Sequence, residues 1–153
     1  MTIEEKISYT LVEASHSLQL LKDNYYIIGS AALSLSGTKL DEMHDIDLLA
    51  STRDAIFLRK EWANRFIEGN TAKDNELFTS EFARYKFSVL DIEIMGDLNV
   101  YKNGIWVRLE ITESETVDEG GFEIQIPTLE EQKRILRLFG RQKDMQRLKL
   151  IDS

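Results

Sequence analysis

The chain has 153 residues, of which 42% are hydrophobic. This is enough for one domain with a sizeable core, and it leaves little room for a second large domain. The 27 acidic residues outnumber the 19 basic ones and give a net charge of -8, which disfavours binding of long nucleic acid through a general basic surface. Since the chain has no cysteine, disulfides, thiol nucleophiles and thiolate metal sites are excluded.

An amphipathic helix is predicted at the amino terminus. Apolar residues recur at steps of three and four from Ile3 to Leu21, and Thr2 with Glu5 has the spacing of a capping box. The first residues lack a basic segment followed by an apolar one, and no apolar run reaches the length of a membrane span. We therefore expect a cytoplasmic protein without a membrane partner.

The stretch from Tyr25 to Ala50 organises the rest of the chain. It predicts a buried strand over 25–28, a Gly29-Ser30 turn, a short helix that begins at Ala31, a polar loop and a second strand. Gly29 allows the backbone to turn and to approach a ligand closely. We expect Ser30 to cap the short helix, whose free N–H groups would then form a phosphate site.

The second strand of this stretch carries Asp45 and Asp47. Side chains alternate between the faces of a strand, so both carboxylates should share one face while Ile46 and Leu48 share the other. Unless one carboxylate takes up a proton, their repulsion favours a hard metal ion with oxygen ligands, for which magnesium is the best fit. With the phosphate site, this predicts a metal-bound nucleoside triphosphate.

A second acidic strand is predicted over Phe87 to Gly96, where Asp91 and Glu93 share one face of an apolar segment. Either residue could supply a third carboxylate.

The segment between the two acidic strands begins with a predicted helix. Residues from Ser51 to about Ile67 have the pattern of a capped helix with a stripe of apolar side chains that includes Ile56 and Phe66. Residues 68–80 are predicted to form a polar loop with some helical character.

The remaining segments predict a hairpin, an acidic loop and two final helices. Asn103-Gly104 is a strong hairpin signal, and Trp106 in the second arm is assigned to the sheet core in preference to a base-stacking surface. Residues 113–121 are predicted to form a loop, and residues 122–126 a short strand. Gly140 should separate a helix over 128–139 from a last helix that contains Lys143, a residue that could contact phosphate.

These motifs together resemble the signature of the DNA polymerase beta-like nucleotidyltransferase superfamily. The resemblance rests on Gly29-Ser30, a short helix and loop, and the Asp45-Ile46-Asp47 strand followed by two leucines. It implies an α+β two-layer fold with a mixed, mostly antiparallel sheet, helices packed on one side of it, and additional C-terminal helices. Residues 1–153 would form a single domain of this kind, similar to the small members of the superfamily.

The resemblance also implies the roles of the acidic residues. Its pattern of an acid, two apolar residues and glycine matches Glu93, which becomes the expected third ligand, with Asp91 in reserve. Asp45, Asp47 and Glu93 would hold two magnesium ions, and Gly29 and Ser30 would cradle the triphosphate. The implied reaction moves a nucleoside monophosphate from the triphosphate to an acceptor hydroxyl and releases pyrophosphate.

The acidic composition favours a small-molecule or protein acceptor over a long nucleic acid. A partner protein, or a second copy of the chain in a homodimer, could complete the site. The rival hypothesis is a catalytically silent module of the same fold, antitoxin-like or regulatory, which binds a nucleotide or a partner protein without turnover.

Overall fold

The computed structural model describes residues 1–69 and 76–152. It contains the helices α1 (Ile3–Leu18), α2 (Gly29–Leu35), α3 (Thr52–Glu61), α4 (Leu129–Phe139) and α5 (Gln142–Asp152), and the strands β1 (Tyr26–Ile28), β2 (Asp45–Ala50), β3 (Phe66–Gly69), β4 (Phe78–Tyr85), β5 (Asp91–Lys102), β6 (Ile105–Arg108), β7 (Ser114–Glu119) and β8 (Phe122–Pro127). None of the helices in the described ranges is long and apolar enough to cross a membrane.

The main sheet is mixed and mostly antiparallel, as the resemblance implied. Its strand order is β1-β2-β5-β4-β3, with β6 paired to β5, and β7 and β8 form a separate hairpin sheet. Only the pairing of β2 with β5 is parallel among the described pairs, and its register sets Asp45 beside Asp91 and Asp47 beside Glu93. The two acidic segments therefore lie side by side at the same end of neighbouring strands.

Helices α1, α2 and α3 cover one face of this sheet. The core there combines Leu11 of α1 and Leu58 of α3 with Ile46, Leu48 and Ile92 from the strands. Burial of such side chains is the main favourable term in folding. The predicted capping box of α1 is confirmed, because Thr2 and Glu5 exchange the two expected hydrogen bonds at 2.9 and 3.1 Å.

The acidic residues project from the opposite face. Because side chains alternate along a strand, Leu49 shares this face with Asp45 and Asp47, and it packs in a second apolar cluster that includes Ile135 of α4. A left-handed backbone at Gly140 ends α4, as predicted, and the chain turns into α5. The C-terminal helices are thus placed on the same face as the acids.

Several predicted boundaries were wrong. Helix α3 ends at Glu61 instead of about Ile67, and its buried stripe lies on Ala55 and Leu58 while Ile56 and Phe66 are exposed. The predicted loop over 68–80 contains the end of β3 and the start of β4, and residues 70–75 of it lie outside the described residues. The second acidic strand begins at Asp91, not Phe87, and continues to Lys102.

Two further predictions in the second half of the chain were wrong. Residues 114–119 form strand β7 within the expected loop over 113–121, since their backbone pairs with β8. Trp106 lies on the β5–β6 hairpin and is 46% exposed instead of buried, with its ring edge-on to Tyr101. The hairpin itself forms at Asn103-Gly104 as predicted, with positive φ at both residues.

Candidate active site

Three carboxylates from two strands converge on one point. Asp45 and Asp47 project from β2, and Glu93 projects from β5, where the parallel register sets it beside Asp47. One carboxylate oxygen from each residue lies within 4.8 Å of the other two. The alternation of side chains along each strand and the register between the strands produce this convergence.

Gly29 closes the site from the side of β1 and α2. It has a φ of +67°, and a Cβ atom at this position would stand only 2.5 Å from Asp47 Oδ2. The backbone at the start of α2 therefore lies directly against the Asp47 carboxylate. Glycine is required here both for its conformation and for this close approach.

Asp47 has an unusual protonation equilibrium. Burial raises the pKa of its carboxyl group well above the usual 3.8, and the negative charges of Glu93 and Asp45 raise this pKa further. The charge of Arg147 on α5 acts in the opposite direction, so the last helix presents a cation to the acidic group. A bound cation would also restore the ionised form of Asp47.

Arg84 of β4 is the cation in contact with these acids. Its guanidinium lies 2.5 Å from Glu93 Oε1, 3.3 Å from Asp45 Oδ2 and 3.0 Å from Asp91 Oδ2. Burial alone would lower the pKa of Arg84, but the charges of Glu93, Asp45 and Asp91 raise it above its usual value. The group of acids is thus partly neutralised from within the chain.

The structure separates the two candidates for the third carboxylate. Glu93 belongs to the convergent group with Asp45 and Asp47. Asp91 lies outside that group, where its Oδ2 accepts a hydrogen bond from Arg84 Nε and forms an ion pair with Nη2. The two residues are two positions apart on β5 and share a face, and the register with β2 sets Glu93 beside Asp47 and Asp91 beside Asp45. The geometry favours the choice of Glu93 over Asp91.

Ser30 and Lys143 occupy less specific positions. The expected cap by Ser30 was wrong, because α2 begins at Gly29, with Ile28 as the N-cap residue and no side-chain capping hydrogen bond. Ser30 itself lies in the first turn and is half-buried. Lys143 is exposed in the first turn of α5, one helical turn before Arg147.

Sequence reasoning missed Arg84 and Arg147. Arg84 precedes the acidic strand in the sequence, but only the register of β4 with β5, which pairs Arg84 with Glu93, brings it to the site. Arg147 stands in a helix with several basic residues, where charge alone does not indicate a partner.

The donor set fits a hard divalent cation. All three converging groups are carboxylates, and the chain offers neither thiolate nor, among the described residues, a histidine in this group. Oxygen donors of this type suit magnesium, calcium and manganese, while softer metals prefer nitrogen and sulfur. The residues present are therefore compatible with the magnesium that the resemblance implied.

Comparison with solved structures identifies the fold. No family model and no curated protein sequence matches the chain. Among solved structures, a candidate nucleotidyltransferase of Thermotoga maritima superimposes with a TM-score of 0.79 at 22% identity, over 97% of this chain and 93% of that one. This chain has the nucleotidyltransferase fold.

Two further structures share this fold at greater distance. The lincosamide antibiotic adenylyltransferase LnuA, bound to lincomycin, matches with a TM-score of 0.59 at 13% identity, over 99% of this chain and 98% of that one. The antibiotic-resistance factor ANT(2'')-Ia matches with a TM-score of 0.55 at 11% identity, over 98% of this chain and 83% of that one. The nucleotidyltransferase fold thus extends over nearly the whole length of this chain.

Proposed function

We propose that residues 1–153 act as one nucleotidyltransferase domain, which transfers a nucleoside monophosphate from a nucleoside triphosphate to an acceptor hydroxyl. The acceptor hydroxyl gives up its proton to water, its oxygen forms a bond to the α-phosphorus, the bond between that phosphorus and the bridging oxygen breaks, and pyrophosphate leaves. The observation that carries this proposal is the convergence of Asp45, Asp47 and Glu93 beside the Gly29 turn, within the nucleotidyltransferase fold.

The residues of the site have two tasks in the proposed reaction, which are to hold the metal and to bind the triphosphate. Asp45, Asp47 and Glu93 would hold magnesium, which when bound neutralises phosphate charge and polarises the acceptor hydroxyl. Gly29 keeps the Asp47 carboxylate and the start of α2 in contact, so that backbone N–H groups stand beside the acids. These N–H groups and the Ser30 hydroxyl would bind the triphosphate.

Basic residues on α5 are proposed to complete the triphosphate site. Arg147 acts electrostatically on Asp47, and Lys143 stands one turn earlier on the same helix. A positive charge that acts on the acids suits phosphate groups that are bound through a metal ion. A triphosphate donor also agrees with the cytoplasm as the place of the activity.

We propose a small-molecule acceptor. The net charge of -8 disfavours a polynucleotide, whose phosphates would be repelled. Two of the proteins with this fold are named as an antibiotic adenylyltransferase and an antibiotic-resistance factor, which is consistent with a small hydroxyl compound as the substrate class.

The test is a label-transfer experiment. The chain is incubated with magnesium, a small-metabolite fraction and each nucleoside triphosphate in turn, labelled at the α-phosphate. We expect pyrophosphate release and transfer of the label to a compound of the fraction with one or more triphosphates, and neither with the Asp45→Asn/Asp47→Asn variant. Metal-dependent binding of a triphosphate without transfer to any fraction, protein fractions included, would instead support the silent module.

A further inference from the structure

Arg84 stands where a cation would be expected, between the acidic residues of β2 and β5. Its strand, β4, pairs antiparallel with β5 and sets Arg84 opposite Glu93. The Arg84 side chain is 21% exposed, and the side chains of Asp45, Asp91 and Glu93 that it contacts are exposed to a similar extent. Ion pairs of this degree of burial are screened less by water than surface pairs.

The contacts of Arg84 divide into two sets. Its Nη1 atom donates to Asp45 Oδ2 at 3.3 Å and to Glu93 Oε1 at 2.5 Å, and both acceptors belong to the convergent group. Its Nε and Nη2 atoms form a fork on Asp91 Oδ2 at 3.2 and 3.0 Å, outside that group. One end of the guanidinium thus occupies proposed metal ligands, and the other end is held elsewhere.

Arg84 and a divalent cation compete for the same carboxylates. The two positive charges repel each other at such short range, and an oxygen that accepts a hydrogen bond from Nη1 is less available as a metal ligand. The fork on Asp91 does not compete in this way, because Asp91 is not one of the three converging residues. A movement of Nη1 alone would therefore release Asp45 and Glu93.

We propose that Arg84 is the internal counter-ion of the acidic site, and that a divalent cation displaces its Nη1 group from Asp45 and Glu93 while Asp91 retains the rest of the guanidinium. This inference rests on the proposed function, since it takes the three acids as metal ligands. Arg84 is a positioning residue in this account. It keeps the metal-free acids together and sets the concentration of metal that the site requires.

The first experiment measures metal affinity directly. Magnesium binding is followed by calorimetry and manganese binding by electron paramagnetic resonance, for the wild-type chain and for Arg84→Gln. We expect Arg84→Gln to bind both ions at least about tenfold more tightly than the wild type does, because the competing positive charge is absent. Without metal the variant should melt at a lower temperature than the wild type, and saturating metal should reduce the difference.

A matched control is Arg53→Gln. Arg53 also forms a forked ion pair, with Asp23 at 2.7 Å for both contacts. It lies at the start of α3, beyond Ala50, and Ala50 itself is roughly 16 Å along β2 from Asp45 at about 3.3 Å per residue. Its loss should leave metal affinity unchanged.

A second measurement uses only the folded wild-type chain, in case Arg84→Gln does not fold. The guanidinium NMR signals of Arg84 are assigned by through-bond correlation with its own backbone amide. Magnesium should free the Nη1 group to exchange, while the Nε–H and Nη2 signals stay protected by Asp91.

The outcomes separate this inference from the proposed function. If the wild type and Arg84→Gln bind metal with equal affinity, or if magnesium leaves the Nη1 signal unchanged while it binds, Arg84 is no competitor, although the metal site stands. If neither chain binds a divalent cation, both the metal site and the inference are wrong.

Discussion

Replacing Gly29 with alanine should separate Asp47 from the other acids while the rest of the fold is kept. The new Cβ atom would stand 2.5 Å from Asp47 Oδ2 and 3.4 Å from its Cγ atom. The backbone cannot yield easily, because residue 29 joins β1 directly to α2. The carboxylate therefore has to rotate away from its present position.

Two effects determine how much Gly29→Ala lowers the free energy of unfolding. An L-residue held at a φ of +67° costs about 1–2 kcal/mol, and forcing a side chain such as Asp47 off its preferred rotamer costs about 0.5–1.5 kcal/mol. We expect Gly29→Ala to lower the free energy of unfolding by about 2–3 kcal/mol. Because Asp47 no longer faces Glu93, magnesium affinity should fall by at least about tenfold.

Gly104→Ala is the matched control for this variant. Gly104 also has a positive φ, +83°, but a Cβ atom there would have open space around it. This variant should lose about 1–2 kcal/mol from the backbone effect alone and keep its magnesium affinity. Urea denaturation and calorimetry with magnesium measure both quantities. Equal magnesium affinity of Gly29→Ala and the wild type would refute the role of Gly29 beside Asp47.

Three other predictions concern single side chains. Asp47→Asn should abolish magnesium-dependent turnover. Without metal and above pH 4, this variant should be at least as stable as the wild type. The reason is that the pKa of Asp47 is raised in the folded state, so the wild type loses stability as pH rises. Denaturation across pH and a turnover assay check this, and full activity would contradict it. Ser30→Ala should weaken triphosphate binding in calorimetry while the free energy of unfolding changes by less than about 0.5 kcal/mol; unchanged affinity would refute the phosphate role. Glu131→Gln should lower stability at pH 7 by about 2–3 kcal/mol, since Arg134 and Thr112 lower the pKa of Glu131 from 4.5 to about 2. That contribution is complete above pH 4.5 and is lost as pH falls towards 2, so wild type and variant should converge in urea denaturation near pH 2; a constant difference would contradict the assignment.

The sequence predicts the site where local rules apply. Strand alternation set Asp45 and Asp47 on one face, and glycine between a strand and a helix marked the turn that meets them. Glu93 was expected from a resemblance, and its position beside Asp47 depends on the parallel register of β2 and β5. The position of Arg84 depends on two strand registers, that of β4 with β5 and that of β5 with β2, because Arg84 contacts Asp45 across β5. Pairing between distant strands is not encoded in a local pattern.

The errors in the fold have similar causes. Strand β7 has mostly exposed side chains, so it has no buried alternation, and its pairing with β8 through backbone hydrogen bonds holds it in place. Trp106 follows a hairpin turn on a short strand whose side chains are mostly exposed, where hydrophobicity alone misplaced it in the core. Helix α3 was extended too far because Phe66, an apolar residue at helical spacing, belongs to β3. In each case tertiary context decided the outcome.

The most direct test of the proposed site is calorimetric binding of each nucleoside triphosphate, with and without magnesium, to the wild-type chain and to Asp45→Asn/Asp47→Asn. We expect at least one triphosphate to bind the wild type only when magnesium is present, and the double variant to bind none. If no triphosphate binds the wild type, or if the double variant binds as tightly, the acids of β2 are not a magnesium-nucleotide site and the proposed function is wrong.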